Sequence, residues 1–263
     1  MPAPLLTFSV CAYGESPYLR ECVESVLVQE AKAEVILCTS TPNSLIQSVA
    51  DEFRLSVFVN PRQEGISSDW NYAIDCAETP YVTIAHQDDV YEPRYSAAAL
   101  QRMEGAHDSL IFFSDYGELR DGGRVTSNKL LDVKRMMLKP FIPDRRHSSR
   151  FWKRAILRFG SPIPCPAVTY CKGRIPCSLF HGGMKGGLDW DAWERLSRIP
   201  GAFCYEPQVL MYHRIHEDSE TSRIIADDTR TNEDLAMLER FWPKPVAKLI
   251  NRFYAESLKS NDG

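Results

Sequence analysis

The sequence predicts an α/β fold with a mostly parallel central sheet flanked on both faces by helices. Short apolar runs alternate with amphipathic stretches over the first 115 residues, which is typical of parallel strands joined by crossover helices. The runs contain few polar residues, as expected for strands buried on both faces. With 263 residues, 44% of them hydrophobic and 25% charged, the chain is long enough to bury a substantial core.

The predicted strands of the first half are the apolar runs at residues 5–11, 34–38, 55–59, 81–85 and 109–114. We predict helices over residues 18–29 and 42–53, and a third helix, capped by Ser67, Ser68 or Asp69, that continues through Cys76. Helix 18–29 carries its apolar residues on one face, as a helix packed on a sheet requires. Pro42 suits a helix start because the first backbone N–H groups have no intrahelical partner.

Beyond residue 115 the pattern is less regular. A Gly122-Gly123 pair and a basic stretch at residues 134–158 come first, and a glycine-rich segment at residues 182–187 is predicted to be a mobile loop. The remaining predicted elements are a helix at 189–198, strands at 202–205 and 208–213, and helices from about residue 230 to the end.

Charge and cysteine usage exclude some classes of protein. The net charge of -4 argues against a general nucleic-acid binder, which would carry a basic excess. The first six residues lack the basic and apolar regions of a secretory signal, and no stretch is long enough to cross a bilayer. Cys11, Cys22, Cys38 and Cys76 fall inside apolar patterns and are read as reduced core thiols. We therefore expect a cytoplasmic protein.

The run at residues 81–85 ends in His86-Gln87-Asp88-Asp89. Adjacent carboxylates repel each other unless a cation lies near them, and oxygen ligands suit Mg²⁺ or Mn²⁺. In open α/β sheets ligands bind beyond the carboxyl ends of the strands, an edge that would also carry Tyr13, Thr39 and Asn60. This pattern predicts a divalent ion and an anionic ligand such as a diphosphate. The alternative is that Asp88 or Asp89 caps the helix after Pro93.

Several segments, in this order and spacing, resemble the inverting glycosyltransferases of family 2, which have the GT-A fold. Residues 8–13 and 18–27 are similar to that family's first strand, tyrosine-bearing loop and first helix. The other matching segments are 65–71 (G-x-x-x-x-x-N), 86–89 (the D-x-D signature), 188–193 (the E-D-W-x-x-W acceptor motif) and 212–221 (the late His segment). The resemblance covers residues 5–222.

The chain departs from the family pattern at three points. Thr39-Ser40-Thr41 stands where an acidic pair usually touches the base. His86 replaces the first Asp of the signature, which leaves Asp88 and Asp89 as the metal candidates. Leu188 replaces the Glu that precedes Asp189.

The resemblance implies an enzyme that moves a sugar from a nucleotide sugar, with a UDP-sugar favoured, to a hydroxyl of a glycan, polysaccharide or lipid-linked acceptor. Asp189 would be the general base that takes the acceptor proton, and Asp88, Asp89 and His216 would hold Mn²⁺ or Mg²⁺. The alternatives are that Asp189 only caps its helix, or that Asp191 is the base. His213 is the alternative histidine that would complete the metal site or contact the diphosphate.

The resemblance also assigns donor contacts. Tyr13 would lie beside the base, Thr39 and Ser40 would occupy the position of the acidic pair, and Asn71 would hold a loop or the base edge. Arg214 would clamp a phosphate of the donor. Asp88 would contact the donor through the metal ion, and Ser219 would donate its hydroxyl to a phosphate. Trp70 and Trp190 either line the acceptor pocket or belong to the core.

We expect residues 1–115 to form a nucleotide-sugar-binding half, residues 116–222 the acceptor-binding half of the same domain, and residues 223–263 a C-terminal helical extension. The basic segment 134–158 mixes Lys and Arg with large apolar residues. Such a mixture suits peripheral contact with an anionic membrane at its inner face. A solvated amphipathic helix is the alternative.

Two other functions remain open from the sequence. A sugar-phosphate nucleotidyltransferase would need a Gly-rich basic loop after the first strand, which residues 11–16 do not supply. A non-catalytic nucleotide- or glycan-binding subunit would explain the changes at His86 and Leu188. A Rossmann dehydrogenase is disfavoured because no G-x-G-x-x-G follows the first strand.

Overall fold

The computed structural model describes residues 3–184, 186–216 and 229–259, and the side chains within them except those of residues 229–231 and 253–259. Ser219, predicted to contact a phosphate, lies outside the described residues. The described strands are β1 Leu6–Cys11, β2 Glu34–Thr39, β3 Ser56–Val59, β4 Tyr81–His86, β5 Val90–Tyr91, β6 Ser109–Arg120, β7 Gly123–Val125, β8 Val168–Cys171 and β9 Ala202–Arg214. The described α-helices are α1 Leu19–Leu27, α2 Ser44–Phe53, α3 Ile66–Cys76, α4 Tyr95–Gly105, α5 Lys129–Leu138, α6 Arg150–Ala155, α7 Leu188–Arg198, α8 Thr229–Leu238 and α9 Lys244–Lys259.

The strands form one sheet in the order β3-β2-β1-β4-β8-β6-β9-β5, with β7 paired to β6. Strands β1, β2, β3 and β4 are parallel, and β6 is parallel to β9. Strands β8, β5 and β7 run the other way. The predicted α/β fold with a mostly parallel sheet between helices is therefore confirmed.

Two apolar clusters cover the two faces of the sheet, as the side-chain alternation of β6 demonstrates. Ile111 and Phe113 belong to the cluster that includes α7 residues, whereas Phe112 belongs to the cluster with α1, α2 and α4 residues. Successive strand residues point to opposite faces. A central strand with consecutive apolar residues, such as residues 110–113 of β6, must therefore be covered on both sides, which explains the continuous apolar runs in the sequence.

Several predicted boundaries were wrong. Strand β6 continues to Arg120, and α2 begins at Ser44 with Asn43 as its N-cap, so Pro42 precedes the helix. Helix α3 begins at Ile66, and its N-cap, Gly65, has a φ of 86° and no side-chain cap. Ser67, Ser68 and Asp69 therefore lie inside its first turn. The strands predicted at residues 202–205 and 208–213 are one strand, β9, whose pairing with β6 skips from Glu206 to Val209. Pro207 has no N–H to donate, so it interrupts this hydrogen-bond ladder. The strand nevertheless continues beyond it.

Lys153, within the basic segment, points into the protein. Its side chain is fully buried, and Nζ donates hydrogen bonds to the carbonyl oxygens of Ile199 at 2.8 Å and Gly201 at 2.7 Å. Burial lowers the pKa of this amine to about 8. Lys153 thus supports the turn between α7 and β9 and takes no part in the exposed charge of its segment.

This burial gives a testable pH dependence. The folded chain releases the Lys153 proton near pH 8, whereas the ordinary lysine pKa is 10.5, so unfolding takes up a proton between these values. The free energy of unfolding should therefore rise with pH across this window, by about 2 kcal/mol from this residue. Urea denaturation of wild type and Lys153→Met at about pH 7.5 and about pH 10 measures this contribution. A difference between the two proteins that is the same at both pH values would contradict it.

Within the residues that the structure describes, no helix has both the length and the apolar character needed to cross a membrane.

Candidate active site

The carboxyl ends of β1 and β4 are joined through their loops. The backbone N–H of Tyr13 donates to Gln87 Oε1 at 3.0 Å, and Gln87 Nε2 donates to the Tyr13 carbonyl at 2.9 Å. The Tyr13 side chain itself remains 65% exposed. The predicted base-contacting ring is therefore held beside the acidic loop of residues 87–89 with its faces open.

Asp89 is fully buried and connects the acidic loop to the end of β9. Its Oδ1 accepts hydrogen bonds from the Arg214 backbone N–H at 3.0 Å and from His213 Nδ1 at 2.9 Å. Burial opposes protonation of His213, but the charge and hydrogen bond of Asp89 prevail and raise the His213 pKa to about 9. His213 thus serves as the partner of the Asp89 carboxylate.

Asp88 is partly exposed and faces the late histidine predicted as a metal ligand. Its Oδ2 lies 3.1 Å from His216 Nε2. Behind it, Arg214 Nε donates to the Asp88 carbonyl at 2.8 Å and Nη2 contacts Glu21 Oε2 at 2.5 Å. Because Arg214 is only 8% exposed and its guanidinium is engaged within the chain, its position fits support of the Asp88 loop better than the predicted phosphate clamp.

The donor atoms at the end of β4 fit a divalent metal ion. One ligand atom each from His86, Asp88 and Asp89 lies within 4.8 Å of the others. Within the described part of the chain, Asp89 Oδ2 and His86 Nε2 are buried without a hydrogen-bond partner, which is costly unless another group satisfies them. Burial lowers the pKa of His86 to about 4, so its ring is neutral at pH 7 and keeps a lone pair for a metal.

A second polar cluster lies at the ends of β2 and β3. Ser40 Oγ donates to Asp69 Oδ2 at 2.8 Å, and Asn60 Nδ2 donates to Asp69 Oδ1 at 2.8 Å. Thr39 and Ser40 are buried, and Thr39 Oγ1 accepts from the Thr41 backbone N–H at 3.0 Å. A carboxylate is thus present at this corner, supplied by the first turn of α3 and not by β2.

Asn71 and Trp70 of α3 connect the site to the loop before α7. Asn71 Nδ2 donates to the Phe180 carbonyl at 2.7 Å, and the Phe180 N–H donates to Asn71 Oδ1 at 2.9 Å. This pair agrees with the loop-holding alternative for Asn71. Trp70 is buried and stacks on His86 with ring centroids 5.1 Å apart. The stacking holds the His86 imidazole beside Asp88 and Asp89, the candidate metal ligands.

Asp189 lies in the first turn of α7 and is half-buried, and its Oδ1 accepts from the Trp190 N–H at 2.6 Å. Burial raises the pKa of the Cys165 thiol, and the carboxylates of Asp189 and Asp89 raise it further.

The neighbours of Asp189 on α7 have structural contacts. Asp191 is buried, and its oxygens accept from Arg195 Nε at 2.9 Å and Arg240 Nη1 at 2.6 Å. Trp190 is buried and donates to the Leu157 carbonyl at 2.9 Å, which agrees with its core alternative. Asp191 is thus committed to ion pairs, and Asp189 remains the stronger candidate for the base.

Sequence reasoning missed three members of this site. Asp69, the carboxylate bound by Ser40 and Asn60, gave no clear signal because it lies within the predicted capping residues of α3. His86 replaces the first Asp of the signature, and that position could have indicated a replacement ligand. Glu21, which pairs with Arg214, gave no signal because an exposed helical glutamate is unremarkable in a sequence.

The family model described as "Glycosyl transferase family 2" matches residues 7–160. An uncharacterized glycosyltransferase of Rickettsia typhi is 23% identical over 261 residues, which cover 95% of this chain and 74% of that protein. An uncharacterized glycosyltransferase of Haemophilus influenzae is 21% identical over 238 residues, covering 83% of this chain and 68% of that protein.

Two solved structures share the fold. S. aureus TarS 1–349, in complex with UDP-GlcNAc, matches with a TM-score of 0.58 at 14% identity, and the match covers 94% of this chain and 70% of the TarS chain. The mannosyltransferase PcManGT from Pyrobaculum calidifontis, in complex with GDP-Man and Mn²⁺, matches with a TM-score of 0.63 at 14% identity, and the match covers 97% of this chain and 70% of the PcManGT chain. This likeness confirms the predicted GT-A fold.

Proposed function

Because the chain belongs to glycosyl transferase family 2, we propose that it transfers a sugar from a nucleoside-diphosphate sugar to a hydroxyl acceptor with inversion at the anomeric carbon. The observation that carries this proposal is the acidic end of β4, where Asp89 Oδ2 lies with Asp88 and His86 and has no hydrogen-bond partner among the described residues. Such a donor set suits a hard divalent ion beside a diphosphate.

The metal site is proposed to consist of Asp88 and Asp89, with His216 and His86 as imidazole ligands. Mn²⁺ or Mg²⁺ bound there would neutralise the negative charge that the leaving diphosphate gains. The contacts of Asp89 with His213 and Arg214 hold the loop so that its carboxylates need not move during the reaction. Fixed charges of this kind stabilise the transition state without reorganisation.

The acceptor proton is proposed to pass to the Asp189 carboxylate. For inversion, the acceptor oxygen must attack from the face opposite the diphosphate, so the base and the metal site belong on opposite sides of the sugar. Asp189 and the acidic loop come from different elements, α7 and the end of β4. A positioned carboxylate can accept the proton as the bond to the anomeric carbon forms.

The donor is proposed to be a UDP-sugar, with Tyr13 beside the base and Thr39 and Ser40 at the base-contacting corner. The solved relatives that carry UDP-GlcNAc and GDP-Man support a nucleotide sugar and allow either base. Residues 1–115 would bind this donor, residues 116–222 the acceptor, and residues 223–263 would form the helical extension. A glycan, polysaccharide or lipid-linked acceptor fits this reaction.

A donor panel tests the proposal. Purified protein is incubated with UDP-, GDP- and CDP-sugars in Mn²⁺, and release of the nucleoside diphosphate is measured with and without glycan acceptors. We expect slow release from one donor class even without acceptor, because water can replace the hydroxyl. Binding without release would favour the non-catalytic subunit, and release of a nucleoside triphosphate in the presence of pyrophosphate would favour a nucleotidyltransferase.

The basic segment is proposed to contact an anionic membrane at its cytoplasmic face. Residues 134–158 contain nine Lys or Arg and one Asp in a chain of net charge -4. Large apolar side chains are exposed among them: Met136 by 58%, Ile142 by 51% and Phe151 by 67%. Basic charge interleaved with exposed apolar side chains is what binds to anionic lipid surfaces.

Liposome flotation tests this contact. Arg145→Glu/Arg150→Glu reverses two exposed charges of the segment and should reduce binding to vesicles with about 30% phosphatidylserine by tenfold or more, since each basic residue contributes about 1 kcal/mol. Lys32→Glu/Arg54→Glu makes the same change in net charge elsewhere and should bind like wild type. Equal flotation with neutral and anionic vesicles would contradict the proposal.

A further inference from the structure

Helix α8 contacts the glycine-rich loop that leads into α7. Glu233 Oε2 accepts hydrogen bonds from the backbone N–H groups of Gly186 at 2.8 Å and Gly187 at 3.2 Å. One carboxylate oxygen therefore holds two consecutive amides of the loop. Helix α8 comes more than 60 residues after the part of the chain that the family model matches, residues 7–160.

These amides lie immediately before Asp189. Gly187 is the N-cap of α7 and, having no side chain, gives the helix no side-chain cap. The first N–H groups of a helix have no intrahelical partner, and a carboxylate near them is favourable. Glu233 supplies that carboxylate from another helix, so the start of α7 and the orientation of its first turn depend on α8.

Helix α8 lies within van der Waals reach of Gly187. A Cβ added to Gly187 would lie 3.8 Å from Glu233 Oε2 and 4.0 Å from Met237 Cγ of α8, and 3.3 Å from Met184 Sδ of the loop. Met237 is fully buried. The start of α7 is therefore packed against α8 by a buried apolar side chain as well as by the two hydrogen bonds.

The segment after α8 holds the flank of α7. Arg240 Nη1 donates to Asp191 Oδ1 at 2.6 Å, and Phe241 stacks on Trp190 with ring centroids 6.4 Å apart and planes at 18°. These contacts keep α7 anchored to the C-terminal segment even without Glu233. Loss of Glu233 should therefore free the loop while the helix remains packed.

We propose that Glu233 is a positioning residue for the transfer reaction, which holds the Gly186 and Gly187 amides so that the Asp189 carboxylate faces the acceptor. This inference rests on the proposed function, in which Asp189 is the base. Small displacements of a reacting group lower the rate strongly. Donor contacts come from the strand ends, so loss of Glu233 should affect turnover and leave donor binding intact.

Hydrogen–deuterium exchange and kinetics of Glu233→Ala and Glu233→Gln test the proposal. In Glu233→Ala the Gly186 and Gly187 amides should exchange about tenfold faster or more, because they lose their acceptor. Its kcat should fall about tenfold or more while the donor KM stays within about twofold. Glu233→Gln keeps an acceptor oxygen and should retain most of the amide protection and most of the wild-type kcat. Glu239→Ala, at an exposed position just past α8, is the control and should behave like wild type.

Unchanged exchange at these amides, or faster exchange with unchanged kcat in an active enzyme, would overturn the role of Glu233. The exchange measurement does not depend on catalysis. A wild-type chain that releases no nucleoside diphosphate from any donor would instead overturn the proposed function, and the two failures are therefore distinguishable.

Discussion

Replacement of Asp189 by Asn should lower the rate of sugar transfer about a thousandfold, because an amide cannot take the acceptor proton and general base catalysis contributes about 10²- to 10⁴-fold. The substitution changes one oxygen to nitrogen and keeps the shape of the side chain. Binding of the nucleotide sugar should stay within about threefold of wild type, since the proposed donor contacts lie at the strand ends. Initial rates at saturating donor, with donor affinity measured by calorimetry, check both statements.

Asp75→Asn is the matched control for Asp189→Asn because Asp75 is exposed and the chemical change is identical. It should leave the rate within about twofold of wild type. Transfer by Asp189→Asn at more than about a tenth of the wild-type rate would exclude Asp189 as the base. Asp191 would not be the natural replacement, since both of its oxygens are held by arginines.

Asp88→Asn should produce the second-largest effect. Asp88 is the partly exposed acid of the pair, 3.1 Å from His216, so its loss should weaken the metal site without opening the core. At saturating donor we expect turnover to fall about a hundredfold, since a bound ion stabilises the leaving group by several kcal/mol. A rate that is unchanged at every Mn²⁺ concentration would remove Asp88 from the site.

Asp89→Asn should differ from Asp88→Asn in kind. Asp89 is fully buried and holds the His213 imidazole and the Arg214 backbone, so its substitution affects the packing of β9 as well as the metal. We therefore expect a lower melting temperature for Asp89→Asn, whereas that of Asp88→Asn should stay near wild type. The contrast separates the structural contribution of the pair from the chemical one.

The sequence predicts well which segments meet at the carboxyl ends of the strands, because that edge depends on local patterns. An apolar run that ends in Asp88 and Asp89 is visible in a short window, and parallel strands bring their carboxyl ends together whatever the intervening helices contain. Tyr13 follows β1 for the same reason. The regular α/β order therefore sufficed to bring the end of β1 and the end of β4 to one crevice.

The parts that sequence reasoning did not predict depend on distant partners. The ion pair of Arg214 with Glu21 joins residues 193 positions apart, and no local pattern predicts such a pair. The carboxylate beside Ser40 comes from Asp69 on α3, and the sequence pattern hides this because it places the start of that helix two to four residues too late. A glycine with positive φ at the N-cap was the physical cause of that error.

Calorimetric titration of the wild-type protein with UDP and GDP, in excess Mn²⁺ and again in EDTA, measures whether the acids after β4 hold an ion for a diphosphate. We expect one of the two nucleotides to bind at least about tenfold more tightly with the metal, a difference of about 1.4 kcal/mol, and Asp88→Asn to lose this difference. Equal affinity in Mn²⁺ and EDTA for the nucleotide that binds would show that Asp88 and Asp89 hold no such ion.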